Sequence, residues 1–375
     1  MQLVQRFELY ACLQCGKCTG GCPVSLRTDL NIRRIMRELI FVEEEVLKKE
    51  AIWDCTTCKT CTLRCPRGLE PSQVIVALRA NLVERGRVPK TVIEALEATY
   101  VHGNPWGRAR QKRADWAEGI NVKDLTKGEK SEGLYFVCCA PSYDPRLQRV
   151  SRSIALIMKV AGVDFGILGI SESCCGNEIR RLGEEGLFEE LREQNKEKIL
   201  SSGVKWIVTT SPHCLNALKN EYGLEDIRVY HYTEFFLELL KEGRLPFKNP
   251  LVQKVVYHDP CFLGKQNNIY DPPRDLLRGI PELKLLEFSR SREISLCCEG
   301  GGGRMWVEGT GRGTRNSEIR IKDAEALGAD IIATACPFCL LTLEDALKTM
   351  GLDEKLQVKD IAELLSEALG LEVER

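Results

Sequence analysis

Apolar residues recur along this chain with two different periods, and the change of period divides it. Leu30, Ile32, Ile35, Met36, Leu39 and Ile40 recur close to once per helical turn, and Val42, Val46 and Leu47 continue the series. That pattern predicts a helix. Val74, Val76, Leu78, Leu82 and Val83 predict a second helix from Pro71 to Arg85. Further on, short apolar runs take over: Leu134 to Val137, Trp206 to Thr209, Val255 to Tyr257 and Ile331 to Ala333. They read as strands, and they alternate with helical stretches at Arg152 to Val160, Leu187 to Leu200 and Ile319 to Leu327. Gly203 and Gly328 stand where a helix would end before the next strand. Such alternation implies α/β modules with parallel sheets. Ligands in these modules gather at the carboxyl ends of the strands.

The later part of the chain repeats itself. Ile207-Val208-Thr209-Thr210-Ser211-Pro212-His213-Cys214-Leu215 resembles Ile332-Ala333-Thr334-Ala335-Cys336-Pro337-Phe338-Cys339-Leu340. Cys174-Cys175-Gly176 matches Cys297-Cys298-Glu299, and Cys139 matches Cys261. A fixed period implies duplicated units. The chain therefore divides into a helical region (1–102), a connector (103–132), a first module (133–248) and a second module (249–375). In the connector, Gly103-Asn104-Pro105-Trp106-Gly107 is turn chemistry. Arg108, Arg110, Lys112 and Arg113 then alternate with Trp116, and Asp115, Glu118, Asp124 and Glu129 offset their charge. The expectation is a solvated linker packing on its neighbours.

Composition narrows the class. The 375 residues are 43% hydrophobic, enough for real cores, and the formal net charge of −1 gives no global argument for nucleic acid or an anionic membrane. The most apolar long stretch, Ile154 to Ile170, is interrupted by Lys159 and Asp164, so no membrane span is expected. Met1 to Tyr10 is mixed polar and does not read as a secretory signal. Eighteen cysteines invite a disulfide framework, but such frameworks belong mostly to small secreted domains. Metal-bound thiolates in a reducing cytoplasm fit better, with any membrane association supplied by a partner.

Cys12-x2-Cys15-x2-Cys18-x3-Cys22-Pro23 is followed by Cys55-x2-Cys58-x2-Cys61-x3-Cys65-Pro66. Each is the bacterial ferredoxin run, in which the fourth cysteine serves the other cluster. Cys12, Cys15, Cys18 and Cys65 are assigned to one cubane [4Fe–4S] cluster, and Cys55, Cys58, Cys61 and Cys22 to a second. Paired zinc knuckles need wider spacing. The helix between the two runs points to an α-helical ferredoxin. The expected fold class is thus α+β multidomain, an α-helical two-cluster ferredoxin domain followed by two α/β modules.

The second module carries five cysteines in the order lone, pair, CxxC: Cys261, Cys297, Cys298, Cys336 and Cys339. Soft thiolates select iron–sulfur clusters, zinc or Cu(I). Adjacent cysteines suit an extended cluster better than one tetrahedral ion. Gly300 to Gly303 let the backbone approach something bulky. His258, just before Asp259-Pro260-Cys261, is either a proton donor there or a hydrogen-bonded neighbour. The Gly309–Gly313 segment reads as a flexible turn or lid beside the cluster. Lys265, Arg304 and Arg315 are candidates for an anionic substrate. The first module keeps Cys139, Cys174, Cys175 and Cys214, but has Ser211 where the second has Cys336. Three readings stay open for it: a cluster with His213 as substitute ligand, a zinc or other single-metal site, or a metal-free fold. Cys138 matches no pattern and reads as core.

These motifs, from Cys12 to Cys339, resemble the D-type component of heterodisulfide reductase, a ferredoxin fused to two cysteine-rich CCG domains. The resemblance implies that Cys261, Cys297, Cys298, Cys336 and Cys339 bind a noncubane [4Fe–4S] cluster at which a disulfide is split into thiols. It also implies complex partners: a flavoprotein, either like the A-type component of heterodisulfide reductase or an electron-transferring flavoprotein, or a membrane cytochrome b. Ser211 departs from the pattern, and so does Glu299, where the glycine run is expected to preserve the turn. Two functions follow as alternatives. One is a disulfide-reducing subunit fed by two cubanes. The other is an electron relay without substrate chemistry of its own.

Overall fold

The computed structural model describes residues 2–373. Its N-terminal region is helical. α1 (Ile32–Phe41) is capped by the Asn31 side chain, which accepts from the Arg34 N–H, and it buries Ile32, Ile35, Met36 and Leu39. The predicted helix does not run on to Leu47. Val42 leaves helical geometry at φ −145°, and a separate turn starts at Glu43–Val46, where three glutamates favour a new helix N-terminus. α2 (Pro71–Glu84) begins on proline, and α3 (Lys90–His102) ends at Gly103 with φ 69°.

Two parallel sheets follow. The first contains β1 (Lys123–Asp124), β2 (Gly133–Phe136), β3 (Phe165–Ile167), β4 (Trp206–Thr209) and β5 (Arg228–His231), in the order β1-β3-β2-β4-β5. The second contains β6 (Lys254–Tyr257), β7 (Lys284–Leu286), β8 (Ile331–Thr334) and β9 (Gln357–Asp360), in the order β7-β6-β8-β9. In the central pairs Tyr135 lies opposite Val208 and Tyr257 opposite Ala333. The repeat read from sequence is therefore a repeat in space, with Phe136 in the place of His258 and Ser211 in that of Cys336. α4 (Pro145–Val160), α5 (Glu185–Ser202), α6 (Pro212–Asn220), α7 (Tyr232–Lys241), α8 (Asp271–Gly279), α9 (Asn316–Ala326), α10 (Pro337–Thr349) and α11 (Ile361–Leu369) cover the sheets. α4 packs on α11 and α7 on α8, so one apolar core containing Ile154, Ile157, Leu276 and Leu364 runs through both modules.

The connector packs on its neighbours as expected and much of it is exposed, but it is more than a linker. It supplies the edge strand β1, and its 3-10 stretch Arg110–Ala117 buries Arg113 and Trp116. Glu172 gives Arg113 a buried carboxylate, and Tyr135 packs edge-on against Trp116 at 5.6 Å. The Gly309–Gly313 segment is pinned as well. Thr310 donates from its N–H and its hydroxyl to Asp54, and the Arg312 N–H donates to the Arg27 carbonyl. It straps the second module to the ferredoxin region.

Arg79 on α2 joins all three parts. It is fully buried and donates to the carbonyls of Ile52, Trp53 and Cys55, to that of Arg181 in the first module and to that of Gly302 in the second. Gly302 is required at that point: with φ 69°, a Cβ there would lie 2.6 Å from the Thr56 carbonyl carbon. Among the described residues no helix is long and apolar enough to cross a membrane.

Candidate metal centres

The two ferredoxin runs share one backbone solution. Gln14 and Gly16 in the first, and Thr57 and Lys59 at the matching places in the second, all adopt positive φ. These left-handed turns wrap each loop so that its sulfurs face inward. Cys12, Cys15, Cys18 and Cys65 line one cavity of about 20 Å3. Cys15 is exposed, and the other three are partly buried. Cys55, Cys58 and Cys61 are buried, and the field of Cys58 reaches Cys22. Burial, then repulsion from Cys55, Cys58 and Cys22, pushes the Cys61 thiol well up. The fourth cysteine of each run thus sits with the other run. One set faces solvent, and the second lies inside.

In the second module the five thiols form a string. Cys261 meets Cys297, Cys297 meets Cys298, Cys298 lies 3.2 Å from Cys339, and Cys339 meets Cys336. All five are buried. Interaction with the Cys297 thiol first, and with that of Cys339 second, holds the Cys298 thiol well below its usual value. Burial opposes ionisation of Cys336, but Cys339 and His213 outweigh it and bring it down to about 5. Neighbouring thiols and burial push Cys261 and Cys339 well up, so Cys298 and Cys336 are the members already inclined to the thiolate form that a soft metal centre binds. His258 sits among them, with a ring nitrogen within 4.8 Å of the Cys298 and Cys339 sulfurs. Burial, with Arg320 adding to it, pushes His258 down to about 3, so the ring is neutral near pH 7 and is not an imidazolium acid. Nor is it a hydrogen-bonded neighbour: no described residue bonds to either ring nitrogen.

The second ferredoxin set abuts this string. The Cys58 thiol packs against that of Cys297, in a buried cluster with Cys261 and Phe262. Lys265 stabilises the junction, its ammonium donating to the Thr60 hydroxyl and the Ser295 carbonyl. It is buried and satisfied, not a substrate-binding cation. Arg304 is likewise paired with Asp54, and Arg315 with Glu318 and Asp345. Glu299 takes positive φ itself, at 72°, and its carboxylate grips Arg27 through two nitrogens. The turn is therefore made by the glutamate and not shifted into the glycine run.

The first module brings Cys139, Cys174, Cys175 and Cys214 to one cavity of about 40 Å3. Ser211 does not act as a ligand there, since its hydroxyl caps α6 by accepting from the His213 N–H. His213 is not the substitute ligand either. Its ring bonds to Glu178 at 2.7 Å, interacts electrostatically with Cys336 of the second module, and stacks on Phe262 at 4.1 Å. The Glu178 carboxylate also accepts from the Gly303 N–H, drawing the ring toward the second module. Cys138 is not merely core: it lines the same cavity, and its thiol meets that of Cys214. Sequence reasoning also missed Arg113, whose guanidinium lies 3.5 Å from the Cys139 sulfur and is fixed by Glu172 at 2.6 Å. An adjacent cysteine pair at a strand end was the available signal for Cys138. Nothing local distinguished Arg113 from the other connector cations.

Comparison with known proteins agrees with this layout. The cysteine-rich CCG domain family matches residues 134–219 and 255–344, and the 4Fe-4S dicluster domain family matches residues 8–69. The chain is 34% identical to the probable iron-sulfur-binding oxidoreductase FadF of Bacillus subtilis, over 97% of its own length and 60% of that protein's. It is 33% identical to the EtfAB:quinone oxidoreductase of Syntrophomonas wolfei, over 96% of this chain and 58% of that one. These two proteins are longer, and the chain spans about three fifths of each. It is 30% identical to the D-type component of the dihydromethanophenazine:CoB–CoM heterodisulfide reductase of Methanosarcina mazei, over 98% of this chain and 96% of that component.

Proposed function

Because the chain belongs to the D-type heterodisulfide reductase family of CCG-domain iron–sulfur proteins, we propose that it conducts electrons inward, from the exposed ferredoxin set to the second module, for reduction of a disulfide-type substrate. An iron–sulfur oxidoreductase-type electron-transfer subunit is what the family as a whole describes. The eight ferredoxin cysteines fit two cubane [4Fe–4S] clusters in the crossed arrangement, and the five second-module thiols fit a noncubane [4Fe–4S] cluster. When bound, such clusters accept and release single electrons.

The observation that carries the proposal is the thiol contact between Cys58 and Cys297. Cys58 of the buried ferredoxin set and Cys297 of the second-module set pack in one cluster, which supports a direct junction between the centres they would hold. Cys15, the exposed thiol, marks the end at which a flavoprotein or cytochrome partner delivers electrons. A disulfide taking up two electrons and two protons yields two thiols. An open cleft of about 520 Å3 shares Pro105, Trp106 and Trp306 with the thiol cavity, and that cavity reaches Pro337 and Phe338 beside Cys336 and Cys339. This gives a disulfide a way in along the rim of the first-module cavity, to Pro337 and Phe338 where the two modules meet.

A second reading, electron relay to another redox enzyme, is favoured by the burial of all five second-module thiols and by the quinone oxidoreductase among the relatives. One experiment separates the two. The anaerobically reduced full chain is mixed with a panel of small anionic and neutral mixed disulfides, and thiol release is followed. Two thiols per two electrons consumed supports disulfide chemistry. Full iron content with no thiol release across the panel, together with reoxidation by a quinone or flavoprotein acceptor, sinks it in favour of the relay.

A further inference from the structure

We infer that Cys138 is the fifth thiolate of the first module, standing in for the cysteine that Ser211 replaces, so that this module too holds a five-thiolate iron–sulfur centre. The two modules present the same string of sulfurs. In the second it runs Cys261, Cys297, Cys298, Cys339, Cys336. In the first it runs Cys139, Cys174, Cys175, Cys214, Cys138. The equivalence holds link by link. Cys214 lies 3.1 Å from Cys175 as Cys339 lies 3.2 Å from Cys298. At the far end Cys138 meets Cys214 where Cys336 meets Cys339. The fifth sulfur arrives from a different strand end, the residue before the lone cysteine instead of the first residue of the CxxC.

The backbone shows what this arrangement costs. Cys138 has φ 79° and ψ 159°, a region that is essentially reserved for glycine. A side chain held there persists only where its surroundings impose it. Here the Glu172 carboxylate imposes it, accepting from the Val137 and Cys138 N–H groups, both at 3.1 Å. Arg113 fixes that carboxylate in turn and sets its positive charge against the Cys139 sulfur. A cysteine serving only as packing would not need a conformation that glycine adopts freely. A single tetrahedral zinc would use four of the five sulfurs and leave the strained one idle. The donor set and its order are those of the second module, and the group that fits them is the same.

The inference concerns the first module alone, so its failure and that of the electron path into the second module read separately. The test is an anaerobic iron and zinc count on the full chain, with EPR through a redox titration. The wild type is expected to hold about sixteen irons and no zinc. Cys138→Gly keeps the backbone at ease and is expected to lose about four irons while the ferredoxin signals stay unchanged. Cys138→Gly combined with Ser211→Cys is expected to regain the irons, which a purely structural role for Cys138 does not provide for. Cys297→Ser assigns the second-module irons independently. Full iron in Cys138→Gly, zinc in place of those irons, a wild-type count of about twelve, or failure of the double variant to regain what the single one lost each overturns the inference.

Discussion

The thiol of Cys58 touches that of Cys297, although the two residues belong to different domains and lie far apart in sequence. The contact exists because the second module's glycine loop lies directly on the backbone of the second ferredoxin run, at Thr56. Electron transfer between bound centres depends steeply on distance, so a shared ligand wall is the most economical junction the fold offers.

Arg79 holds that junction together. Removing its guanidinium leaves five buried carbonyls, from three parts of the chain, without their donor. Each such loss costs about 1–3 kcal/mol. Arg79→Ala is expected to lose at least about 4 kcal/mol of stability, and Arg79→Lys to recover only part, because lysine lacks the fork. Anaerobic thermal unfolding measures this. A melting temperature unchanged in Arg79→Ala would show the contacts to be dispensable.

Glu299 accepts a backbone penalty for its ion pair with Arg27. Glu299→Gly relieves the positive φ, worth about 1 kcal/mol, but leaves the mostly buried Arg27 guanidinium without its carboxylate. The expected net effect is destabilising by about 2 kcal/mol. In a double-mutant cycle with Arg27→Ala the two changes should be clearly non-additive. Simple additivity would mean the pair contributes nothing.

Legibility differed between the two halves of the problem. The strand and helix sequence from Leu134 onward was readable, because β2, β4, β6 and β8 are short runs, apolar and buried except at Trp206 and Lys254 where β4 and β6 begin. The two ferredoxin runs were readable from their repeated spacing, and Cys65 does lie with Cys12, Cys15 and Cys18 as the crossed pattern of such runs expects. The roles of Cys138, Arg113, His213 and Glu299 were not. Each depends on a partner remote in sequence: Cys214, Glu172, Glu178 with Cys336, and Arg27 respectively. His213 in particular sits beside Cys214 in sequence, yet its ring turns to the other module once Glu178 captures it.

Electron entry should be sensitive to the surface around Cys15. Leu13 lines the same cavity as Cys15 and is 65% exposed. Apolar residues at such positions favour docking of a partner. Leu13→Glu is expected to slow reduction by a flavoprotein or cytochrome donor about tenfold while leaving reduction by dithionite unchanged. Stopped-flow bleaching with each reductant makes the comparison, and equal slowing with both would point to damage at the metal site instead.

Asp360 gives a pH dependence. Burial raises its carboxyl to about 7, against the hydrogen bonds from the Tyr232 hydroxyl and the Ala362 N–H. The folded chain therefore binds a proton that the unfolded chain releases near pH 4, so this group's contribution is full in acid and is lost as pH rises toward about 7. Asp360→Asn removes that loss while keeping a capping side chain. Relative to wild type, the variant's stability should climb by up to about 4 kcal/mol between pH 4 and pH 7. A constant difference across that range would contradict the assignment.

The most direct test of the central claim is the EPR line shape of the full chain as it is reduced stepwise. Because Cys58 and Cys297 share a thiol contact, the buried ferredoxin signal should broaden or split once the second-module centre becomes paramagnetic, and should lose that interaction in Cys297→Ser. Signals whose shape and power saturation stay independent throughout the titration would mean that the two centres are not neighbours, and would contradict the path proposed here.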